Sequence, residues 1–298
     1  MNRAGPLPIT AALLAAAAAT LLAACGSAAP APSATHAAAF NQALHDRLPK
    51  AVKDRGILRV GTEASYAPME SFGPDGRTII GADPDIGAAI GQVLGVRLEF
   101  TNTAFDELLP EVKGGDLDLA MSSVTDTAQR ATIVDFVNYF SAGTSIVVQR
   151  GNPAAITSIE DLCGKVVAVE AGTVQEDLLG RTQANCGAHP IAVNSRPTDS
   201  DALLELRTGR AAATLNDLPA AVALVTDPHT SANFQLASTA QYEPGLYGIA
   251  VAKDQPGLRD AIQGACEELL GGGLYANILS GWGVRDGAVK QITINSGR

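Results

Sequence analysis

Aromatic residues are scarce in this chain: seven Phe, five Tyr and one Trp make up 4% of its 298 residues. Any core must be built from Ala, Val, Leu and Ile, and an apolar content of 46% is ample for that. Basic residues are also few. The 21 Lys and Arg stand against 31 Asp and Glu, for a formal net charge of −10. That balance argues against the basic footprint of a nucleic-acid binder, and no nucleic-acid partner is expected. No run of like charges marks an interaction tail. The four histidines, His36, His45, His189 and His229, are scattered. They offer no metal-ligand spacing, so neither a metal nor a cofactor is expected. The HExxH, GxSxG and phosphate-loop patterns are missing too, and no pair of residues demands catalysis. The expectation is a protein that is not an enzyme.

The longest apolar run lies near the beginning. Arg3 precedes an Ala- and Leu-rich stretch over residues 9–24 that leads to Leu22-Ala23-Ala24-Cys25. A short charged start, an apolar run and a small-residue cleavage site make a secretory signal. A Leu, two small residues and a Cys make a bacterial lipobox, with Cys25 as the lipid-attachment site. The run is barely long enough to span a bilayer, and no basic stop-transfer flank follows it. Residues 1–24 are therefore read as a signal peptide. Residues 25–39, rich in Ala, Ser and Pro, are read as a lipidated tether that cannot build a core. The mature protein is expected to be extracytoplasmic and lipid-anchored to the bacterial cell membrane; stable anchoring takes two or more chains. Export favours a disulfide between Cys163 and Cys186 over two buried thiols. Such a bridge would contribute about 3 kcal/mol. Cys266 falls in a predicted helix as a small buried residue.

The remaining residues are enough for two lobes. Apolar spacing predicts one amphipathic helix over residues 40–55, ended by Gly56, and then a strand over 57–60. A helix over 85–94, a strand over 96–101, a helix over 105–112, a strand over 117–121 and Val-rich extended runs over 133–148 follow. Asn152-Pro153 marks a break. A second series comprises a short helix over 158–162 with Ser158 as cap, strands over 166–169, 191–193, 211–215 and 234–237, and helices opening at 174, 199 and 218. An extended run over 247–251 leads to two final helices, 258–270 and 274–282. Alternating strands and helices imply α/β lobes with largely parallel sheets, whose ligands bind beyond the carboxyl ends of the strands.

Four stretches, in order, carry a family likeness. They are Gly61-Thr62-Glu63-Ala64-Ser65-Tyr66-Ala67-Pro68, Gly81-Ala82-Asp83-Pro84-Asp85-Ile86, the segment from Thr125-Asp126 through Arg130 to Val134-Asp135-Phe136, and Ala171-Gly172-Thr173 at a helix start. Behind a lipobox, these resemble the family 3 solute-binding proteins of amino-acid ABC importers, over most of residues 55–285. The resemblance implies a two-lobed α/β periplasmic-binding-protein fold of type II, joined by two crossovers and closing on its ligand by a hinge. Lobe 1 would be 40–147 and 248–290, lobe 2 would be 150–245, with crossovers near 147–149 and 245–248. It also implies a monomer that captures a free amino acid and delivers it to a membrane permease.

The site follows from the chemistry of a zwitterion, whose two charges both need partners when buried. Arg130 suits the carboxylate through its two-pronged guanidinium and aligns with the family's arginine; the alternative is a surface pair with Asp126. The helix start at Thr173 offers a second carboxylate partner. Asp217 suits the ammonium, or else caps the helix after it. Ser122 and Ser123 would complete the ammonium shell. Tyr66 and Phe105 match the family's aromatic walls around the ligand's carbon chain. Glu63 and Glu170 leave the pocket with more negative than positive charge, which favours a cationic tail (arginine, lysine or ornithine), then glutamine, over glutamate or aspartate. Asp83 and Asp85 read as structural. Two other functions share the implied fold: a periplasmic dehydratase, for which Glu170 would be the acid/base, and a ligand sensor for a separate signalling partner.

Overall fold

Alternating strands and helices assemble as two layered lobes in the computed structural model, which describes residues 38–297. Cys25, the signal segment and most of the tether lie outside the described residues. The N-terminal region forms α1 (Gln42–Asp46) and α2 (Lys50–Arg55). The single helix expected over 40–55 is thus broken, because Pro49 has no N–H to continue the ladder and sits as the residue before α2. Asn41 caps α1, its side-chain oxygen accepting from Leu44 N at 3.1 Å. Leu44, Leu48 and Val52 are buried as their spacing requires, whereas Phe40 is 53% exposed.

Lobe 1 continues with β1 (Ile57–Thr62), β2 (Ser65–Tyr66), β3 (Glu70–Phe72), β4 (Ile79–Ile80), α3 (Ala82–Leu94), β5 (Arg97–Asn102), α4 (Leu108–Gly114) and β6 (Leu119–Ala120). The long β7 (Val134–Gln149) leads into lobe 2. That lobe holds β8 (Val166–Glu170), α5 (Val174–Gln183), β9 (Ala192–Arg196), α6 (Asp199–Arg207), β10 (Ala213–Asp217), α7 (Leu218–Thr226) and β11 (Phe234–Leu236). β12 (Tyr242–Ala252) returns to lobe 1, which adds α8 (Pro256–Gly271), α9 (Leu274–Gly281) and β13 (Ala288–Ile294).

The strand order is β5-β1-β6-β12-β7-β10-β8-β9, with β11 and β13 also paired to β7. β1 lies parallel to β5 and β6, and β8 lies parallel to β9 and β10. β7 and β12 run antiparallel to each other through the middle. Lobe 1 buries Leu58, Val60, Ile86, Ile90, Val137 and Phe140 in one core. Lobe 2 buries Ile146, Val148, Val167, Val169, Leu179 and Leu215 in another. β7 serves both cores, which explains why it is buried along almost its whole length.

Several expectations change. β7 passes from pairing with β12 to pairing with β10 at Thr144, which faces Tyr242 on one edge and Asp217 on the other. The strand runs unbroken through this exchange of partners, across Gly143 and on to Gln149. Ser158 does not cap: its N–H and that of Thr157 both donate to the Asp161 carboxylate. The three-stranded β2-β3-β4 sheet has strands of two or three residues, too short for a periodicity signal. β13 was not expected either, because polar Lys290, Gln291 and Thr293 interrupt its apolar positions. Cys163 and Cys186 are bonded, with Cα atoms 5.2 Å apart, and Cys266 is buried in α8.

Tyr275 on α9 locks β13 against β7. Its hydroxyl donates to the Tyr139 carbonyl at 2.7 Å and accepts from Val289 N at 3.0 Å. Tyr275→Phe leaves both backbone groups unpaired, and a loss of about 1–3 kcal/mol is expected in urea unfolding. An unchanged midpoint contradicts this role for the hydroxyl.

Candidate functional site

Parallel strands of the two lobes point their carboxyl ends at a shared cleft, and the chain leaves each of them through a loop that carries polar groups. Glu63 follows β1, Ser122 and Ser123 follow β6, Glu170 ends β8 and Asp217 ends β10. The space among these groups is about 430 Å³, counting the part that is open to solvent. All nine residues proposed from the sequence line it: Glu63, Tyr66, Phe105, Ser122, Ser123, Arg130, Glu170, Thr173 and Asp217.

Arg130 opens a short 3₁₀ turn over Arg130–Thr132. Its guanidinium donates to the Thr125 carbonyl and, across the cleft, to the Gly172 carbonyl, both at 2.8 Å. It also lies over the Phe105 ring, with its carbon 5.5 Å from the centroid, in cation–π contact. The alternative pair with Asp126 does not form. That carboxylate instead accepts from Asn138 Nδ2 and Gly297 N. A guanidinium has five N–H donors, so bonding two carbonyls leaves donors for a further acceptor.

Opposite, Thr173 caps α5: its hydroxyl accepts from Glu176 N at 3.3 Å and donates to the Glu170 carbonyl at 2.8 Å. Gly172 precedes it with φ +73°, and an added Cβ would sit 3.3 Å from Asp106 Cβ of lobe 1. This glycine both adopts the left-handed turn and lets the lobes approach. Asp217 does not cap α7 through its side chain. Its carboxylate accepts from Gln175 Nε2 at 2.8 Å and from the Tyr247 hydroxyl at 2.7 Å. Its backbone N–H donates to the Tyr66 hydroxyl at 2.6 Å, a second bond across the cleft.

Glu63 accepts from the Ser65 hydroxyl at 2.6 Å, while its N–H donates to Ser122 Oγ at 2.9 Å. Ser123, at φ +50°, donates from its N–H to Asp83 at 3.2 Å and from its hydroxyl to Glu70 at 3.3 Å. Glu170 is 7% exposed, and its Oε1 is buried with no hydrogen-bond partner.

Six lining residues, Glu70, Thr125, Val174, Gln175, Asp199 and Leu215, were not anticipated. Glu70 lies on the very short β3. Asp199 looks like an ordinary first-turn acid after the Thr198 cap, yet it accepts from Asn216 Nδ2 at 2.6 Å in the interior. Gln175 lies two residues past the Thr173 cap, and that spacing was its one available signal. Asp83, read as structural, is buried between Tyr139 and Ser123 beside Glu70.

Five carboxyl groups and one guanidinium therefore line the cleft. Burial dominates how the acids titrate. It pushes Glu170 up to about 10, with added repulsion from Glu63, Asp199 and Asp106. It raises Asp199 to about 7 despite the Asn216 hydrogen bond. It raises Asp217 to about 6 against the Tyr247 and Gln175 hydrogen bonds and the Arg130 charge. Glu63 is raised by burial, and its hydrogen bonds with Ser65 offset part of that. Burial raises Asp83 as well, and burial together with the Asp83 charge holds Glu70 well above the usual carboxylate range. Burial also works against the Arg130 charge, which Asp177 and Asp217 support. Among the described residues, no group of His, Cys, Asp or Glu is arranged to hold a metal ion, and no helix is long and apolar enough to cross a membrane.

The family model for bacterial extracellular solute-binding proteins, family 3, matches residues 58–285. The arginine-binding protein ArgT of Corynebacterium glutamicum is 29% identical over 252 residues, covering 83% of this chain and 81% of its own. The L-cystine-binding protein TcyJ of Escherichia coli K12 is 29% identical over 233 residues, covering 78% of this chain and 84% of its own. A solved structure of an ancestral arginine-binding protein bound to arginine superposes with a TM-score of 0.71 at 35% identity, covering 77% of this chain and 99% of its own. With its two lobes, its cleft at the strand ends and a family match across most of its length, this chain belongs to the bacterial extracellular solute-binding proteins, family 3.

Proposed function

We propose that this protein captures a free cationic amino acid, L-arginine foremost, by closing its lobes on it, and delivers it to a membrane ABC permease. The same proposal includes a lipid anchor at Cys25, an extracytoplasmic location and action as a monomer. One observation carries the choice of ligand: the cleft has a surplus of carboxyl groups, one of which, Glu170, has a buried oxygen without a partner. A ligand with net positive charge supplies the missing counter-charge, while an anionic tail adds repulsion. The likeness to arginine-binding relatives supports the reading.

The ligand's α-carboxylate pairs with Arg130 and the N-terminal end of α5 at Thr173. Its ammonium pairs with Asp217, whose oxygens keep unused lone pairs after the bonds from Gln175 and Tyr247. Tyr66 and Phe105 pack against the carbon chain. The side-chain cation lies among Glu63, Glu170 and Asp199, and favours the ionised forms that burial and neighbouring carboxylates oppose in Glu170 and Asp199. Carboxylate and ammonium partners come from both lobes, so bound ligand favours the closed arrangement. The rival reading as a dehydratase-like enzyme draws on Glu170, an acid that burial keeps protonated near neutral pH. Product formation from a candidate ligand would support it; simple saturation supports binding alone.

Arg130→Ala is expected to weaken L-arginine binding by about a hundredfold or more in calorimetry, because the ligand carboxylate is left unpaired. Asp217→Asn is expected to weaken it strongly as well. Near-normal affinity in Arg130→Ala contradicts the carboxylate assignment. Glu170→Gln is expected to cost L-arginine at least about tenfold and to narrow its advantage over L-glutamine. An unchanged preference removes Glu170 from the selectivity argument.

The raised acids also set a pH dependence. A carboxyl group whose pKa is higher folded than unfolded stabilises the ligand-free protein at low pH, and that contribution fades as pH climbs through its folded value. For Asp217 and Asp199 the window runs from about 4 to about 6 and 7. A cationic ligand favours the ionised forms, so binding must release protons. L-arginine affinity is therefore expected to rise between pH 5 and pH 7.5, by up to about tenfold per pH unit for each proton released. Calorimetry in buffers of different ionisation heat counts the protons. A flat affinity with no proton release overturns the linkage, and Asp199→Asn is expected to reduce the slope.

A further inference from the structure

The residues that follow β13 lie against the back of the loop that carries Arg130. Asn295, at φ +49°, is clamped to β7 three times. Its N–H donates to the Phe136 carbonyl at 3.0 Å, its side-chain oxygen accepts from Phe136 N at 2.8 Å, and its Nδ2 donates to Asp135 at 3.0 Å. Asn138, fully buried on β7, relays the contact inward. Its Oδ1 accepts from Ser296 N and Thr293 Oγ1, while its Nδ2 donates to Asp126 at 3.0 Å. Gly297 N donates to the same Asp126 oxygen at 2.8 Å. A Cβ on Gly297 would overlap the Asp126 backbone carbonyl, so only glycine fits this approach.

Asp126 is 2% exposed and does not line the cleft. Its backbone is held from the other side, where Asp126 N donates to the Leu246 carbonyl of β12 at 2.8 Å and Thr125 pairs with Tyr247. The next group along the chain is the Thr125 carbonyl, which accepts from the Arg130 guanidinium. The segment bearing that carbonyl is thus gripped by β12 on one edge and by residues 295–297 on the other.

We propose that residues 295–297 are a positioning strap: through Asn138 and Asp126 they fix the Thr125 carbonyl that aims Arg130 at the carboxylate of the bound amino acid. The strap touches no ligand. Its effect is expected chiefly at the carboxylate end of the site, because the Thr125 carbonyl it fixes accepts directly from Arg130. This inference rests on the ligand assignment given above.

The test compares L-arginine with L-argininamide, whose neutral amide replaces the carboxylate, by calorimetry on the full-length protein. Asp126→Ala removes the shared acceptor, and Gly297→Ala displaces the strap by steric overlap. Each is expected to weaken L-arginine about tenfold and L-argininamide less than about twofold, so the preference for the carboxylate shrinks about tenfold. Asp126→Asn keeps one acceptor oxygen for Asn138 and Gly297 and is expected to restore most of the preference. Equal weakening of both ligands in the two disruptive variants, or none, overturns the strap. A wild-type protein that binds both ligands equally refutes the pairing of Arg130 with the carboxylate instead, and the strap with it. A wild-type preference that survives both disruptive variants sinks the strap alone.

Discussion

The antiparallel pair of β7 and β12 is the constraint on which everything else depends. Parallel strands within a lobe can only present their carboxyl ends in one direction, so one lobe alone offers half a site. By running through both lobes, β7 and β12 turn the strand ends of lobe 2 toward those of lobe 1. The change of partner at Thr144 has a direct chemical result. Asp217 sits beside Thr144 on β10, and Tyr247 of β12 reaches it with its hydroxyl. The group proposed to hold the ligand's ammonium is thereby seated at the crossing itself. Arg130 and Thr173 stand on loops of opposite lobes, and Arg130 reaches across to the Gly172 carbonyl beside Thr173.

The cleft's charge works against its own stability. Six buried carboxyl groups, Glu63, Glu70, Asp83, Glu170, Asp199 and Asp217, share one region with a single lining cation, Arg130. Most are tolerated because each is tied to a hydrogen-bond donor: Ser65 for Glu63, Ser123 for Glu70, Tyr139 for Asp83, Asn216 for Asp199, and Gln175 with Tyr247 for Asp217. Glu170 is the exception, with an unsatisfied oxygen and a carboxyl that burial pushes up to about 10. A site that costs folding free energy in this way has a counter-charge as its natural complement. The same surplus links affinity to pH, so selectivity and proton release have one origin.

How much was legible in the sequence depended on whether a residue is punctuated locally. Glu63, Ser122, Glu170 and Asp217 follow apolar strands directly, and Gly172-Thr173 opens a helix, so their placement at strand ends could be read from pattern and turn chemistry. Asp199 gives the opposite case. Its sequence context is that of a surface helix start, and only the packing of α6 against β10 brings it to Asn216. Glu70 was lost with β3, since three residues cannot show a period. The exchange of partners within β7 has no local mark in the sequence, since the strand is buried almost throughout. Pro49 was the one unheeded local signal: it breaks a helix whose apolar spacing runs on through it.

Two hydrogen bonds span the cleft, Asp217 N to the Tyr66 hydroxyl and Arg130 to the Gly172 carbonyl. Both involve residues proposed to hold ligand, which bears on how closure can be reversible. Bonds of this kind contribute about 1 kcal/mol each, more where a charge takes part, so they alone do not hold the lobes firmly together. They add to bonds these residues already make, Arg130 with the Thr125 carbonyl and the Asp217 carboxylate with Gln175 and Tyr247. A ligand carboxylate that engages the free donors of Arg130 and the end of α5 then adds to these contacts without displacing them. In the proposed mechanism closure then has two supports: weak bonds between the lobes that pre-align the guanidinium, and strong bonds through the ligand that exist only when both lobes touch it. Because the first set is weak, the balance between open and closed forms is left to the ligand.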